Sequence, residues 1–275
     1  MTQWQHFDWT EKDGVGTLTF QRPDTLNSLT YGVYRDLVRL TALLSERKDV
    51  RAVVITGQGR GFCSGGDVHA IIGDLLERSI EEVCDFTRMT CAVVRNVRRM
   101  PQPVIAAVNG TAAGAGAVLA LASDFRILSE GAKVHFLFHA VGLTGADMGT
   151  AWLLPRVVGE ARAKEILFFG EGIPADRALA WGLAHRVVPA DELADVAQAW
   201  ARRLADGPQE ALHATKRAVH AEAEMSLEAA LEHEATTQAV LLAAADHRAF
   251  YEAFREKRSP HWPSTEGRSF LDTSE

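Results

Sequence analysis

Cysteine is scarce in this chain of 275 residues, which contains only Cys63, Cys84 and Cys91. The number is odd and the spacing matches no metal-binding motif, which argues against a disulfide framework and against a structural zinc site. The sequence therefore predicts a protein of a reducing compartment, and it predicts no metal.

Long apolar runs are also missing. The most apolar window, 112–122, is too short and too rich in glycine to span a bilayer. The first residues lack the basic start and the apolar segment of a secretory signal. We therefore expect a cytoplasmic protein with no membrane partner.

Positive charge is not in excess, since 29 Lys and Arg stand against 36 Asp and Glu and the formal net charge is -7. This balance argues against nucleic acid as a partner. Small basic clusters occur at 95–99 and 255–258. Two interpretations remain open for them: they are solvated helix faces, or they contact the phosphates of a small anionic ligand.

Several familiar catalytic motifs are absent. There is no phosphate-binding loop with its lysine, and the glycines of 57–61 have the wrong spacing for a dinucleotide fingerprint. Segment 61–65 resembles a nucleophile elbow, but Ser64 stands one place too late, so we interpret it as a turn residue. His135 and His139 flank a predicted strand, where their spacing does not bring them together as metal ligands.

One stretch, 103–124, organises the chain. Val104–Val108 is an uninterrupted apolar run, which is typical of a strand buried on both faces. A turn of small residues follows at 114–116, and an apolar helix is predicted from about 117 to 123. Small side chains let another group approach the backbone, and the free N–H groups at a helix start favour a negatively charged oxygen.

A second unit of the same kind lies earlier in the chain. The apolar run 52–56 predicts a buried strand, the glycine-rich segment 57–67 predicts a turn, and a helix is predicted from about 68. Two such units can direct two backbone N–H groups at one point and form an oxyanion hole without any side chain. The alternative interpretation is that both are ordinary tight turns of an α/β sheet.

The remaining segments also predict an α/β protein. We expect a hairpin over 8–20, helices over about 30–47 and 68–100, the second loosened near Gly73, and strands over 124–128, 133–138 and 185–188. A loop is predicted at 142–149, and further helices at 150–158, 162–169 and after Pro174.

From Asp191 onward the composition shifts to Ala, Glu, Leu, Arg and His without strand signals. Three or four amphipathic helices are predicted there, with starts at Pro208, Ser226 and Asp246. The sequence thus divides into a core over 1–190, a helical region over 191–258 and a poorly ordered tail over 259–275.

These motifs together resemble the crotonase superfamily of enoyl-CoA hydratases and isomerases. The resemblance extends over about 10–258 and rests on segments 61–68, 103–110, 124–127, 141–143, 154–156, 180–183 and 254–258. It implies an α/β fold, a crotonase-like spiral of ββα units, with C-terminal helices that build homotrimers, often paired as hexamers. It also implies an acyl-CoA substrate and no metal or redox cofactor, with coenzyme A as part of the substrate.

The resemblance implies site residues as well. The thioester oxygen would lie between the backbone N–H groups of Ser64 and Ala115, which would stabilise an enolate electrostatically. The other residues expected to contact the substrate are Leu26, Ser28, Gly65, Gly66, Asp67, Gly114, Phe138 and Trp152.

The chain departs from the hydratase pattern at its acid and base. Val118 and Phe138 occupy the positions of the two glutamates that family hydratases use, and neither side chain can transfer a proton. Asp147 resembles the loop aspartate of some family isomerases and is the main candidate base, with His139 in reserve. The alternative is that Asp147 caps the helix that begins near Gly149.

Several functions remain open for such a chain. Hydration, double-bond isomerisation, hydrolysis and ring cleavage of a CoA thioester are all compatible with the resemblance, and a non-catalytic acyl-CoA-binding protein is the alternative of another class. Phe136, Phe138 and Trp152 suit a bulky or aromatic acyl group if they line its pocket; otherwise they belong to the core.

Overall fold

Two sheets form the framework of the structure, a computed structural model that describes residues 4–266. The larger sheet contains, in spatial order, β1 (Phe7–Lys12), β2 (Val15–Phe20), β3 (Ala52–Gly57), β5 (Val104–Val108), β7 (Phe125–Ser129) and β10 (Arg186–Val188). The smaller sheet contains β4 (Gly61–Cys63), β6 (Thr111–Ala113), β8 (Lys133–His135) and β9 (Ile173–Pro174). The pairs β1–β2 and β8–β9 are antiparallel, and the other pairs are parallel.

The helices connect and cover these strands. They are α1 (Tyr31–Leu44), α2 (Ile80–Arg99), α3 (Ala115–Ala122), α4 (Thr150–Val158), α5 (Glu160–Phe169), α6 (Ala175–Ala180), α7 (Leu193–Ala205), α8 (Gln209–Ala221), α9 (Leu227–Leu242) and α10 (Ala245–Glu256). No helix within residues 4–266 combines the length and the apolar character that crossing a bilayer would require.

A ββα unit repeats along the chain. β3 and β4, β5 and β6, and β7 and β8 each place their first strand in the larger sheet and their second in the smaller one. The resulting architecture confirms the predicted crotonase-like spiral. β4 lies inside the segment 57–67 that the sequence had indicated only as a turn, and β6 lies just before the predicted turn at 114–116. Strands of three residues are too short to show a pattern.

The predicted helix over 68–100 is two pieces. A π-helical segment, Val68–Gly73, follows the first turn, and α2 begins after Ser79. Ser79 and Glu82 form a capping box, since the Ser79 hydroxyl accepts the Glu82 N–H and the Glu82 carboxylate accepts the Ser79 N–H. The break therefore falls just beyond Gly73, where the new helix is capped.

The larger sheet is buried on both faces. Alternate residues of its strands pack in two separate apolar clusters, as two-sided burial requires. One face is covered by α7 through Leu193, Ala197, Ala201 and Ala205. The helical region that begins after residue 190 is thus joined to the core through its first helix.

The last three helices follow α7, and α8 buries residues against the core. Pro208 occupies the N-cap position of α8, Ser226 caps α9 through its hydroxyl, and Asp246 lies in the first turn of α10, close to the predicted starts. Residues 259–266, expected to be poorly ordered, are instead attached: the Ser264 N–H and hydroxyl donate to the Asp246 carboxylate at 3.0 and 2.6 Å. Residues 267–275 of the expected tail lie outside the described part.

Candidate active site

The two predicted turns meet in the structure. Gly65 has a φ of +92°, and a Cβ atom there would lie 2.9 Å from the Ala113 carbonyl oxygen and 3.3 Å from the Ala115 nitrogen. A Cβ atom on Gly116 would lie 2.2 Å from the Cys63 carbonyl oxygen. Only glycine fits at either position, so the close approach of the two turns depends on the absence of side chains.

The second turn presents free amides at the start of α3. Val118 is the first residue of this helix whose N–H has an intrahelical acceptor, the Gly114 carbonyl at 3.1 Å. The N–H of Ala115, at the first helical position, precedes that bond and is available to an outside acceptor. Ala115 therefore lies where its expected role requires.

The first turn uses a different residue from the one expected. The Ser64 N–H donates to the Leu26 carbonyl at 2.9 Å, so it is not available to a substrate. The Gly65 N–H faces the Cys63 thiol. Within residues 4–266 the Gly66 N–H has no acceptor, because the bonds on both sides of it go to Leu29. The structure thus replaces Ser64 with Gly66 as the candidate donor.

Two residues expected to contact the substrate are hydrogen-bonded to each other. Ser28 and Asp67 are buried, and the Ser28 hydroxyl donates to the Asp67 carboxylate at 2.8 Å. Leu26 is half-buried, and its carbonyl accepts the Ser64 N–H. Gly114 adjoins Phe138, whose Cε1 would lie 3.9 Å from a Cβ atom on Gly114. Of this group, Gly65, Gly66, Gly114 and Phe138 line the meeting point of the turns.

Asp147 is a half-buried carboxylate without a cationic partner in the described part of the chain. Its Oδ1 accepts the N–H of Met148 at 2.8 Å. Burial raises the pKa of the carboxyl, and the Met148 N–H opposes that effect. Met148 itself is buried with a φ of +50°, a conformation that costs energy for a residue with a side chain.

The carboxylate of Asp147 does not cap α4. The N-cap is Gly149, with no side-chain hydrogen bond, and it is the backbone carbonyl of Asp147 that accepts the N–H and the hydroxyl of Thr150, at 2.8 and 2.6 Å. The side chain is therefore left for another role. This removes the alternative interpretation of Asp147 as a helix cap.

The two positions of the missing glutamates are apolar and enclosed. Val118 is fully buried inside α3, and Phe138 is 6 % exposed beside the second turn. Neither side chain can hold or release a proton.

His139 and Trp152 lie elsewhere. His139 is exposed, and its ring lies against Gly170 at the end of α5. The Trp152 indole packs under the guanidinium of Arg156 at 3.8 Å and donates to Glu224 at 3.1 Å. It borders a cavity of about 1130 Å³ that is also lined by Arg95, Arg98, Arg99 and Arg217 but by no residue of the two turns. The structure thus corrects both expectations.

Tyr34 is a site candidate that the sequence did not indicate. It is 3 % exposed, its ring meets Phe86 edge-on, and its hydroxyl has no hydrogen-bond partner within residues 4–266. Burial raises the pKa of the phenol, and electrostatic interaction with Cys63 and Asp147 raises it further. Its position on the apolar face of α1 resembled that of a core residue, which concealed it.

No group of three or more His, Cys, Asp or Glu side chains within the described residues is arranged to hold a metal ion.

Comparison with known proteins places this geometry in a family. The family model described as enoyl-CoA hydratase/isomerase matches residues 10–265. The 1,2-epoxyphenylacetyl-CoA isomerase of Escherichia coli (strain K12) is 38% identical over 249 residues, which cover 90% of this chain and 95% of the relative. A probable enoyl-CoA hydratase of Rhodobacter capsulatus is 40% identical over 252 residues, covering 91% and 95%.

A solved structure agrees over nearly the full length. A protein from Streptomyces coelicolor A3(2), which also carries an enoyl-CoA hydratase name, superposes with a TM-score of 0.94 at 49% identity. The superposition covers 96% of this chain and 96% of the other.

Proposed function

The chain belongs to the enoyl-CoA hydratase/isomerase family, and on that premise we propose that it isomerises the double bond of an enoyl-CoA through a thioester enolate. The Gly66 and Ala115 N–H groups would bind the thioester oxygen, where negative charge develops. The observation that carries the proposal is the half-buried carboxylate of Asp147, which has no cationic partner within residues 4–266 and acts electrostatically on Tyr34 together with Cys63 of the first turn. Val118 and Phe138 stand where family hydratases have glutamate.

Isomerisation needs only one group that removes and returns a proton. Asp147 would take a proton from the carbon next to the thioester, which forms a dienolate whose charge rests on the carbonyl oxygen. The protonated carboxyl would then return the proton to the γ-carbon, and the double bond moves into conjugation. Hydration needs a positioned water as well, for which Val118 and Phe138 offer no polar group.

The acyl group is proposed to be bulky or aromatic. Phe138 is the aromatic side chain that adjoins Gly114, next to the proposed thioester position. A planar ring at that point favours a flat acyl group through offset or edge-on contact. Trp152 does not contribute to this argument, because it lies in the arginine-lined cavity.

The test is α-proton exchange with deuterated water for a panel of acyl-CoA thioesters. Asp147→Asn should bind the thioester but lose exchange by about 10²-fold or more, since asparagine cannot act as a base. Asp191→Asn, an exposed carboxylate in another loop, is the matched control and should behave as the parent. Normal exchange in Asp147→Asn would refute the proposal, and tight binding without exchange in the parent would indicate a non-catalytic acyl-CoA-binding protein.

We also propose that the chain assembles as a homotrimer or a pair of trimers. α9 buries none of its residues, although Leu227 and Leu231 are 68% and 55% exposed, and Phe254 on α10 is 72% exposed. Apolar side chains in such number on neighbouring helices are typical of an interface. Light scattering at micromolar concentration tests this, and a monomer would contradict it.

A further inference from the structure

The loop over residues 22–29, here called the 22–29 loop, is hydrogen-bonded to the first turn, residues 64–67. The Leu29 N–H donates to the Gly65 carbonyl at 2.7 Å, and the Asp67 N–H donates to the Leu29 carbonyl at 2.9 Å. Together with the bond from Ser64 to Leu26, these contacts hold the backbone on both sides of Gly66. The direction of the Gly66 N–H is therefore set by the loop.

The carboxylate of Asp67 collects four hydrogen bonds in this region. Oδ1 accepts the N–H groups of His69 and Ala70 at 3.1 and 3.0 Å, and Oδ2 accepts the Ser28 hydroxyl at 2.8 Å and the Arg22 guanidinium at 3.1 Å. The Ala70 N–H, the Ser28 hydroxyl and the Arg22 guanidinium lower the pKa of Asp67 to about 2. This carboxylate is thus a fixed anion, with no role in proton transfer near neutral pH.

Arg22 binds the loop to the turn. Its Nη1 donates to the Ser28 carbonyl at 2.7 Å and to the Ser28 hydroxyl at 3.1 Å, while Nη2 reaches Asp67. The loop contains Leu26 and Asn27 at φ values of 51° and 60°, which are unfavourable for residues with side chains. Such a backbone persists only where surrounding bonds hold it.

We propose that Arg22, Ser28 and Asp67 are positioning residues that orient the Gly66 N–H toward the thioester oxygen. The inference rests on the proposed function and replaces the expectation that Ser28 and Asp67 contact the substrate. The hydrogen bond from the Gly66 N–H is strongest in the transition state, where negative charge develops on the thioester oxygen. If the N–H turns away, the transition state is therefore destabilised more than the bound substrate. Loss of the network should therefore lower kcat and leave KM nearly unchanged.

The experiment compares Arg22→Gln and Ser28→Ala with the parent in the exchange assay. Each should lower kcat by about tenfold, with KM within about twofold. Arg78→Gln is the matched control, because Arg78 also pairs with an aspartate, Asp74, but at the exposed start of α2. A raised KM at unchanged kcat would make these residues substrate ligands and overturn the inference, as would unchanged kinetics.

A second measurement does not depend on activity. The rates of amide hydrogen exchange at Leu29 and Asp67, whose N–H groups donate across the loop and the turn on both sides of Gly66, should rise in Arg22→Gln and not in Arg78→Gln when read by NMR in the ligand-free protein. Unchanged rates would overturn the positioning role even if the parent proved inactive. The two proposals can fail separately. If Asp147→Asn loses activity while the Arg22 and Ser28 variants keep it, the proposed function stands and only this inference is removed.

Discussion

The Lys216 ammonium group on α8 lies 2.7 Å from the Asp124 carboxylate in the core of the molecule. The same ammonium donates to the carbonyls of Val97 and Gln102 at 3.1 and 2.8 Å, and the Asp124 carboxylate also accepts the Val104 N–H at 2.8 Å. One side chain of the C-terminal region thus joins the end of α2 to the start of the central strand β5.

We expect Lys216→Met to destabilise the protein by about 3–5 kcal/mol, because it leaves the Asp124 carboxylate enclosed without its cation. Lys164→Met is the control, since Lys164 pairs with Glu160 on the exposed surface of α5 and should cost no more than about 1 kcal/mol. Chemical denaturation measures both variants. Equal losses would show that the buried pair adds nothing to the attachment of α8.

Ala115→Pro should lower turnover by about 10²–10³-fold, because proline lacks the N–H proposed to bind the thioester oxygen. Ala115 is the first residue of α3, where proline is compatible with the helix, so the variant should fold. Ala115→Gly keeps the N–H and should be milder. Similar turnover in the two folded variants, compared by steady-state kinetics and circular dichroism, would exclude the role of this amide.

Asp147→Asn should make the protein more stable than the parent at neutral pH. Burial raises the pKa of Asp147 above its ordinary value of 3.8, so the ionised form is disfavoured in the folded state. The parent therefore loses stability as pH rises through the raised pKa, and asparagine removes that loss. The difference in free energy of unfolding between Asp147→Asn and the parent, measured by chemical denaturation, should shrink as pH falls toward 3.8. If Asp147→Asn were less stable than the parent at pH 7, the carboxylate would have a stabilising partner.

Tyr34→Phe should unfold at the same denaturant concentration as the parent or a higher one. The Tyr34 hydroxyl makes no hydrogen bond within residues 4–266, so removing it breaks none and should cost little stability. Tyr31→Phe on the same helix breaks a bond of 2.8 Å to Asp74 and serves for comparison. A loss of more than about 1 kcal/mol in Tyr34→Phe would reveal a hydrogen bond to this hydroxyl.

Much of the architecture followed from local sequence patterns. The apolar runs at 52–56 and 104–108 gave both central strands, because strands buried on both faces are apolar at every position. The start of α9 at Ser226 followed from its capping residue. The small residues at 65 and 114–116 indicated a close approach of backbones, which the structure shows between the two turns.

The site required the tertiary structure, because hydrogen-bond partners come from distant parts of the chain. The sequence does not distinguish the N–H of Ser64 from that of Gly66; the Leu26 carbonyl accepts the Ser64 N–H and leaves the Gly66 N–H free within residues 4–266. The sequence left Asp147 open between a catalytic base and a helix cap; in the structure Thr150 binds its backbone oxygen and not its carboxylate. The Trp152 ring packs against the Arg156 guanidinium, and the His139 ring lies against Gly170 at the end of α5. Spacing along the sequence determines which backbone conformations are favourable, whereas three-dimensional packing determines which polar groups remain unpaired.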